Sequence, residues 1–337
     1  MQLGDGDTAL HLLARESKSQ GKIGLLLRNG ADPNISNRKG ETPLLIACSE
    51  SHVPQKSKKR RKEKVFIFEG LEKIHQDQRV KMKRTVDVSK HHNDTVKVLL
   101  ENKANGDVRG SDGFASLHIA VQNSNYELVC ILINGGCDAN VTDGNGNTPL
   151  NLLLKLVAEC QHGTASYYIP HHRRDIQVWK FVEVLLDKNA DPDIQNNDGD
   201  APLHHAASMN CQRSLELLLN AGADVDVEDA HNRTPLHRCA QSGHARIARI
   251  LMVHGSDVNA MDDNGDTPLH VAVRRKQYNL VKLLVQMGAD LSKENTDGFT
   301  AHGVCVELEQ SCNRPWWVYK GQKLLNLLHP VQEMESL

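Results

Sequence analysis

One short segment recurs eight times along this chain of 337 residues, and the spacing of its copies limits the fold more than any other feature. The copies are Thr8-Ala-Leu-His11, Thr42-Pro-Leu-Leu45, Ala115-Ser-Leu-His118, Thr148-Pro-Leu-Asn151, Ala201-Pro-Leu-His204, Thr234-Pro-Leu-His237, Thr267-Pro-Leu-His270 and Thr300-Ala-His302. Successive starts are 34, 73, 33, 53, 33, 33 and 33 residues apart. The three irregular spacings become 33 when 1, 40 and 20 residues are removed. Self-similarity at this period predicts an array of repeats and argues against one large globular core.

Other protein classes are disfavoured by what the sequence lacks. No apolar run approaches the ~18 residues of a membrane-spanning helix, and the first residues do not resemble a secretory signal. The eight cysteines are scattered without a Cys-x-x-Cys pair. Cys48 and Cys239 occupy two adjacent repeat positions that are Ala in other units, which predicts buried thiols in a reducing compartment.

The seventh unit shows what each repeat encodes. Asn264-Gly265 predicts a tight turn in which glycine adopts a positive φ. Thr267 can cap a helix, and Pro268 suits its first turn because the missing N–H is not needed there. A second apolar run, 280–285, predicts a second helix that ends at Gly288.

The Thr-Pro-Leu-His segment, the Gly-Ala-Asp endings such as Gly222-Ala223-Asp224 and the period together resemble ankyrin repeats. This resemblance implies an all-α solenoid of about eight helix-pair repeats with β-hairpin fingers, spanning 1–337 as a single array. The repeats would start near residues 4, 38, 111, 144, 197, 230, 263 and 296. It also implies a non-enzymatic role in protein–protein recognition.

Three insertions are predicted in loops between the two helices of a repeat, at 53–92, 159–178 and 311–321. These loops would share the rim opposite the hairpin tips. A long loop leaves helix pairing possible because closure entropy rises slowly with loop length.

The 53–92 insertion carries 13 Lys and Arg against 5 Asp and Glu. Its run Lys58, Lys59, Arg60 and Arg61 is a candidate nuclear-import signal, with a solvated linker as the alternative. We therefore expect a cytoplasmic or nuclear protein, or one found in both. Ile74-His75 and Arg79 loosely resemble a calmodulin-binding motif, and nucleic acid is a weaker candidate partner of the loop.

The histidines predict structure rather than catalysis, because five of them share one repeat position. In ankyrin repeats this side chain bonds neighbouring backbone, and nothing here resembles a catalytic dyad with an orienting group. Cys160, His162, His171 and His172 could ligate a metal, but their spacing fits no familiar zinc motif. We therefore predict no metal, no cofactor and no enzyme activity.

The predicted function is a protein-interaction scaffold or adaptor. The main alternative is that the chain is the targeting or substrate-recognition part of a larger enzyme. A ubiquitin-ligase substrate receptor is less favoured, since about nine residues follow the last predicted helix.

The resemblance also places the partner-binding residues at hairpin tips and at the exposed ends of the inner helices. The candidates are Arg38, Lys39, Asp112, Phe114, Asn145, Asn147, Asp198, Asp200, Met209, His231, Arg233, Asp263, Asn264, Asp266, Arg274, Arg275 and Phe299. Acidic residues outnumber basic ones over all the transferred positions, which predicts a basic partner segment. Phe114, Met209 and Phe299 are the expected apolar anchors, although Phe114 and Phe299 could instead pack between neighbouring hairpins.

Overall fold

A computed structural model describes residues 4–16, 18–51, 90–162, 174–311 and 328, with the side chains of 160–162, 174–177 and 309–311 left out. The candidate import signal Lys58–Arg61, the calmodulin-like motif and the side chains of the Cys160 and His171 group lie outside this part of the chain. Most of the 311–321 insertion does so as well.

The described helices follow one another in pairs that match the sequence period. They are α1 (Ala9–Arg15), α2 (Gln20–Arg28), α3 (Pro43–Glu50), α4 (90–101), α5 (Ser116–Gln122), α6 (Tyr126–Asn134), α7 (Pro149–His162), α8 (Arg174–Leu186), α9 (Pro202–Ser208), α10 (Gln212–Asn220), α11 (Pro235–Ser242), α12 (Ala245–Val253), α13 (Pro268–Arg274), α14 (Tyr278–Gln286) and α15 (Ala301–Ser311). The all-α repeat fold is therefore confirmed.

The helices begin where the repeated segment predicts. Thr42 is the N-cap of α3, its side chain accepts a hydrogen bond from the Leu45 N–H (3.3 Å), and Pro43 is the first helical residue. The same Thr-Pro junction starts α11 and α13. A proline in this place costs no hydrogen bond, because the first N–H groups of a helix have no partner within it.

The chain divides into two compact units, Met1–Leu153 and Leu154–Leu337. In the first unit α1 packs against α2 and α3, α3 packs against α5, and α5 packs against α6. Fully buried leucines from the repeated segment, Leu10, Leu44 and Leu117, form much of its core. Cys48 is also buried, as its Ala-like repeat position predicts.

The second unit has two rows of helices. An inner row brings α9, α11, α13 and α15 into contact in sequence, and an outer row does the same for α8, α10, α12 and α14. The segment leucines Leu203, Leu236 and Leu269 of the inner row have no exposed surface. Cys239 is likewise fully buried in α11. Each repeat thus buries its apolar face against its neighbours, as expected for a solenoid.

The expected β-hairpin fingers are tight turns rather than paired strands. In the seventh repeat the Asp262 N–H donates to the Asp266 carbonyl (3.0 Å) and the Gly265 N–H donates back to the Asp262 carbonyl (2.8 Å). The strand pairing among the described residues is an isolated antiparallel bridge between Glu294 and Thr300. We call these turns hairpin turns.

Helical structure also extends into the ends of the predicted insertions. α7 continues through His162 and α8 begins at Arg174, so residues at both ends of 159–178 are helical. Residues 90–92 belong to α4.

Candidate protein-interaction surface

One Asp or Asn side chain organises the hairpin turn in six of the repeats. Its Oδ1 accepts hydrogen bonds from the N–H groups two and four residues later, at 2.8 to 3.1 Å. The residues in this role are Asn37, Asp143, Asn196, Asp229, Asp262 and Asn295. Such local side-chain bonds hold the turn backbone in one conformation and leave the side chains between them free to project.

Neighbouring hairpin turns of the second unit are joined through their backbones. The Thr296 N–H donates to the Asn264 carbonyl (2.9 Å), and the Asp263 N–H donates to the His231 carbonyl (3.1 Å). At Gly265, where φ is +67°, a Cβ atom would lie 2.8 Å from the Thr296 nitrogen. Glycine is required there both by the positive φ and by this close approach. We call this row of turns, from Asn196 to Phe299, with the helix ends beside it, the hairpin edge.

Histidines of the repeated segment join each repeat to the next. The Thr234 N–H donates to Nδ1 of His237 (3.1 Å), so the neutral ring carries its proton on Nε2, which donates to the Asp266 carbonyl (3.0 Å). The same two contacts occur in four other repeats, at His11, His118, His204 and His270.

Burial lowers the pKa of His118, His204, His237 and His270, which keeps these rings neutral. This agrees with the single-donor arrangement of their hydrogen bonds. The structural interpretation of the repeated histidines is confirmed.

Most of the predicted contact residues are accessible. Those that are exposed are Arg38, Lys39, Asp112, Asn145, Asp198, His231, Asp263, Asn264, Arg274, Arg275 and Phe299. Phe114 and Arg233 are half-buried, and the Phe114 ring lies 5.9 Å from that of His118. Whether these residues contact a partner stays a prediction.

Met209 is not the exposed anchor that the sequence predicted. Its exposed fraction is 0%. α9 ends at Ser208, and Met209 has an extended backbone (φ −98°, ψ 148°). Arg275, at the same repeat position, has a ψ of 0° and is exposed. Because α9 and α13 end at the same repeat position, the difference lies in the residue that follows, and the extended backbone of Met209 turns its side chain into the core.

Asn147, Asp200 and Asp266 were predicted at the surface and are buried. All three directly precede the repeated segment and form hydrogen bonds within the fold. Asn147 donates to Asp143, Asp200 accepts from Arg238 (2.6 Å), and Asp266 accepts from Arg274 and from Asn295 (2.9 Å). Because these side chains form hydrogen bonds within the fold, they stabilise the turns and do not themselves project from the surface.

Arg238 is the residue of this edge that the sequence prediction missed. Its Nη2 donates to Asp200 (2.6 Å) and to Asp229 (2.8 Å), and Arg233 Nε also donates to Asp229 (2.9 Å). Burial raises the pKa of Asp229, but hydrogen bonds from the Arg233 and His231 N–H groups and the charge of Arg238 outweigh it, so the pKa is lowered overall. Apart from His205 in the fifth repeat, the other repeats carry an apolar side chain at the Arg238 position, as at Ile119, and that contrast was the available signal.

Metal-ligand clusters, membrane-spanning helices and reactive thiols would each indicate another kind of function. No cluster of three His, Cys, Asp or Glu side chains in the described part of the chain could hold a metal ion. Within the described residues, none of the helices has the length and apolar character needed to cross a bilayer. The pKa of Cys137 is raised to about 12, first by burial and then by nearby Asp107, which leaves this thiol protonated at neutral pH.

Comparison with known proteins agrees with this architecture. A model described as "Ankyrin repeats (3 copies)" matches residues 86–143, 117–229, 173–262 and 215–295, and one described as "Ankyrin repeat" matches 5–38. These matches extend over more than half of the chain.

Three curated relatives illustrate the range of proteins with similar segments. A tyrosine-protein kinase of Hydra vulgaris is 31% identical over 32% of this chain and 17% of the kinase. Ankyrin repeat and SOCS box protein 16 of Mus musculus is 27% identical over 45% of this chain and 26% of that protein. The transient receptor potential cation channel subfamily A member 1 of Homo sapiens is 28% identical over 41% of this chain and 12% of the channel. The chain thus spans about a quarter or less of these relatives.

Proposed function

This chain belongs to the ankyrin-repeat family, whose members generally mediate protein–protein interaction, and we propose that it acts as a non-enzymatic module that binds a partner protein through the hairpin edge. The observation that carries this proposal is the state of the hairpin turns. Their backbone groups are engaged in hydrogen bonds, while the side chains at the tips point away from the fold. Such a surface is rigid, so the binding of a partner does not carry the entropy cost of ordering a loop.

We propose that the partner segment is basic. Asp198 projects from the fifth turn with 70% of its side chain exposed, and its contact with Lys155 is long (3.5 Å). Asp263 is also exposed, on the seventh turn. Three other acidic positions of the transferred set, Asp7, Asp200 and Asp266, are buried against arginines. On the hairpin edge the expected attraction therefore comes from Asp198 and Asp263, together with the exposed Asp297 of the eighth turn.

Phe299 supplies the proposed apolar anchor. It is 39% exposed, and its carbonyl is fixed by the hydrogen bond from His270 (3.0 Å). A partly exposed aromatic ring on a fixed backbone is typical of residues that dominate binding energy in interfaces. Phe114, which is half-buried beside His118, is a weaker candidate.

The test begins with affinity purification of the chain from cells and identification of the partner by mass spectrometry. The partner's affinity is then measured for Asp198→Lys with Asp263→Lys, and for a control, Asp187→Lys, which changes an exposed residue just after α8. We expect the double variant to weaken binding at least tenfold, while the control and the thermal unfolding midpoint stay unchanged. Unchanged affinity in the double variant would exclude the hairpin edge as the basic partner's site.

A targeting role within a larger enzyme is the second candidate. It is favoured by the match to part of a protein named as a tyrosine kinase. The full-length transcript distinguishes the two: an adjoining catalytic domain would support the second candidate.

We keep nuclear location as a separate proposal that rests on Lys58, Lys59, Arg60 and Arg61. Replacing all four with Gln in a fluorescently tagged chain should remove it from the nucleus. An unchanged distribution would leave the run as a solvated linker.

A further inference from the structure

A second charged surface lies on the outer helices of the second unit, away from the turns. It consists of Arg213 on α10, Arg246 and Arg249 on α12, and Lys282 on α14, all exposed. We call these four residues the outer basic face. Because α10 packs on α12 and α12 packs on α14, whose axes lie about 8–10 Å apart in such packing, the four residues stand on adjacent helices of one row.

The repeat period builds this face. Arg213 and Arg246 are 33 residues apart and occupy one repeat position, and Arg249 and Lys282 share another. Arg246 and Arg249 are also three residues apart on one helix, where like charges are slightly destabilising. Folding therefore gains nothing from having both.

These cations lack ion-pair partners in the part of the chain that the structure describes. None of Arg246, Arg249 and Lys282 lies within ion-pair distance of a described carboxylate. Arg213 stacks on Trp179, with its guanidinium carbon 3.6 Å from the ring centroid. The one acidic residue of α10, α12 and α14 is Glu216, whose Oε1 accepts from Gln212 (2.5 Å). The four positive charges of this face thus exceed the single negative charge on the same helices.

An apolar side chain accompanies the charges. Val253 is 72% exposed, four residues beyond Arg249 and seven beyond Arg246 on α12. These spacings put the three side chains on one stripe of the helix. A nucleic acid would use the charges and leave Val253 without a contact, whereas an amphipathic peptide would use both.

We propose that the outer basic face binds an acidic, amphipathic segment of a protein. This surface is distinct from the hairpin edge and takes a partner of the opposite charge. Carboxylates of the segment pair with Arg246, Arg249 and Lys282, and an apolar residue covers Val253. The association is driven by charge, so it weakens as the salt concentration rises.

A designed peptide tests this proposal on the full chain. The probe is a fluorescein-labelled alanine-based helix with glutamates at positions i, i+3, i+7 and i+10 and a leucine at i+4. Its isomer of identical composition spreads the glutamates around the helix. Fluorescence anisotropy then measures peptide binding to two double variants of equal charge change. One carries Arg246→Gln and Arg249→Gln, and the control carries Arg28→Gln and Lys103→Gln. Both control residues are exposed and lie in the first unit.

We expect the Arg246/Arg249 double variant to bind the peptide about five- to tenfold more weakly, as fits the loss of two exposed ion pairs. The control variant should bind the peptide as before. The hairpin-edge variant, Asp198→Lys with Asp263→Lys, should bind it equally or more tightly, which would show that the peptide does not use the hairpin edge. Val253→Asp should also weaken binding. Equal binding of the scrambled isomer, or equal loss in the control, would overturn the proposal. Preferential binding of a DNA duplex or of phosphatidylserine vesicles in competition would overturn it as well.

Discussion

Arginines of the second unit lie in two different settings. On the hairpin edge Arg238 donates to two buried aspartates and Arg274 pairs with a third, Asp266. On the outer helices Arg246 and Arg249 are exposed and reach no described carboxylate. The first set stabilises the turns, so its charges are already used. The second set has no such partner among the described residues, so the type of charge alone does not predict which arginines are available to bind another molecule.

The hairpin edge should tolerate backbone changes less than the ends of the outer helices. Gly265 and Gly288 belong to one repeat and both have positive φ, +67° and +88°. An added Cβ lies 2.8 Å from the Thr296 nitrogen at Gly265 but meets nothing within 4 Å at Gly288. We expect Gly288→Ala to cost about 1–2 kcal/mol from the left-handed backbone. Gly265→Ala should cost roughly 1–3 kcal/mol more because of the overlap.

Urea denaturation of both glycine variants measures this difference. Equal losses would mean that the backbone contact between neighbouring turns contributes nothing to stability.

Removal of one arginine should distinguish the two settings. Arg238→Met leaves Asp200 without its cation and leaves Asp229 paired with Arg233 alone, and we expect a loss of about 2–4 kcal/mol. That is somewhat less than for a fully buried pair, because 21% of the Arg238 side chain is exposed. The matched control is Arg246→Met, which should change the free energy of unfolding by no more than about 0.5 kcal/mol. Similar losses in both variants would remove the distinction between the two sets.

Acid should weaken the hairpin edge through its histidines. Burial lowers the pKa of His204, His237 and His270, so these rings stay neutral at a pH where the unfolded chain takes up protons. The stability that these neutral histidines allow is fully present above the pKa of an unfolded histidine, about 6.5. It is lost as the pH falls from there toward the lower pKa values of the folded protein. One pH unit below 6.5, each histidine that stays neutral lowers the free energy of unfolding by up to about 1.4 kcal/mol.

Chemical denaturation at neutral and mildly acidic pH tests this sign. His237→Gln should reduce the pH dependence. His254→Gln, at an exposed residue just after α12, is the control. Stability that increases on acidification would contradict the neutral state of the rings.

The stacked arginine of the outer face should show the smallest effect. Arg213 lies 3.6 Å from the Trp179 ring centroid, and such contacts stabilise by about 0.5–1 kcal/mol at exposed sites. Arg213→Gln should therefore lower the free energy of unfolding slightly, and Arg246→Gln should not. Urea titration followed by circular dichroism compares the two. An equal, near-zero change in both would show that the stacking does not contribute.

The sequence predicted the features that depend on local chemistry. Thr234 and Pro235 mark a helix start, Gly265 marks a positive φ, and Cys239 shares a position with buried alanines; the structure confirms all three. Each depends on one residue type at one repeat position. A single repeat is therefore enough to make the prediction, and the period extends it along the chain.

Features that depend on distant residues were beyond this reasoning. The Arg238–Asp200 pair spans 38 residues, and nothing in either segment alone indicates it. Met209 was misplaced because its backbone is extended where Arg275, at the same repeat position, has a ψ of 0° and is exposed. Transfer by repeat position assumes that the residue after each helix has the same backbone conformation, and candidate contact residues stand at that position.

The histidine contacts give the second unit a direction. His204, His237 and His270 each bond a carbonyl 29 residues further along the chain. The start of a helix is thus completed by the repeat that follows it, never by the one before. During synthesis each of these histidines is made before the carbonyl that it bonds. The helix start of each repeat is therefore completed only after the next repeat has been made. Unfolding that begins at the C-terminal side of this unit removes the acceptor of one histidine after another. Unfolding that begins at the N-terminal side leaves the later histidine contacts intact.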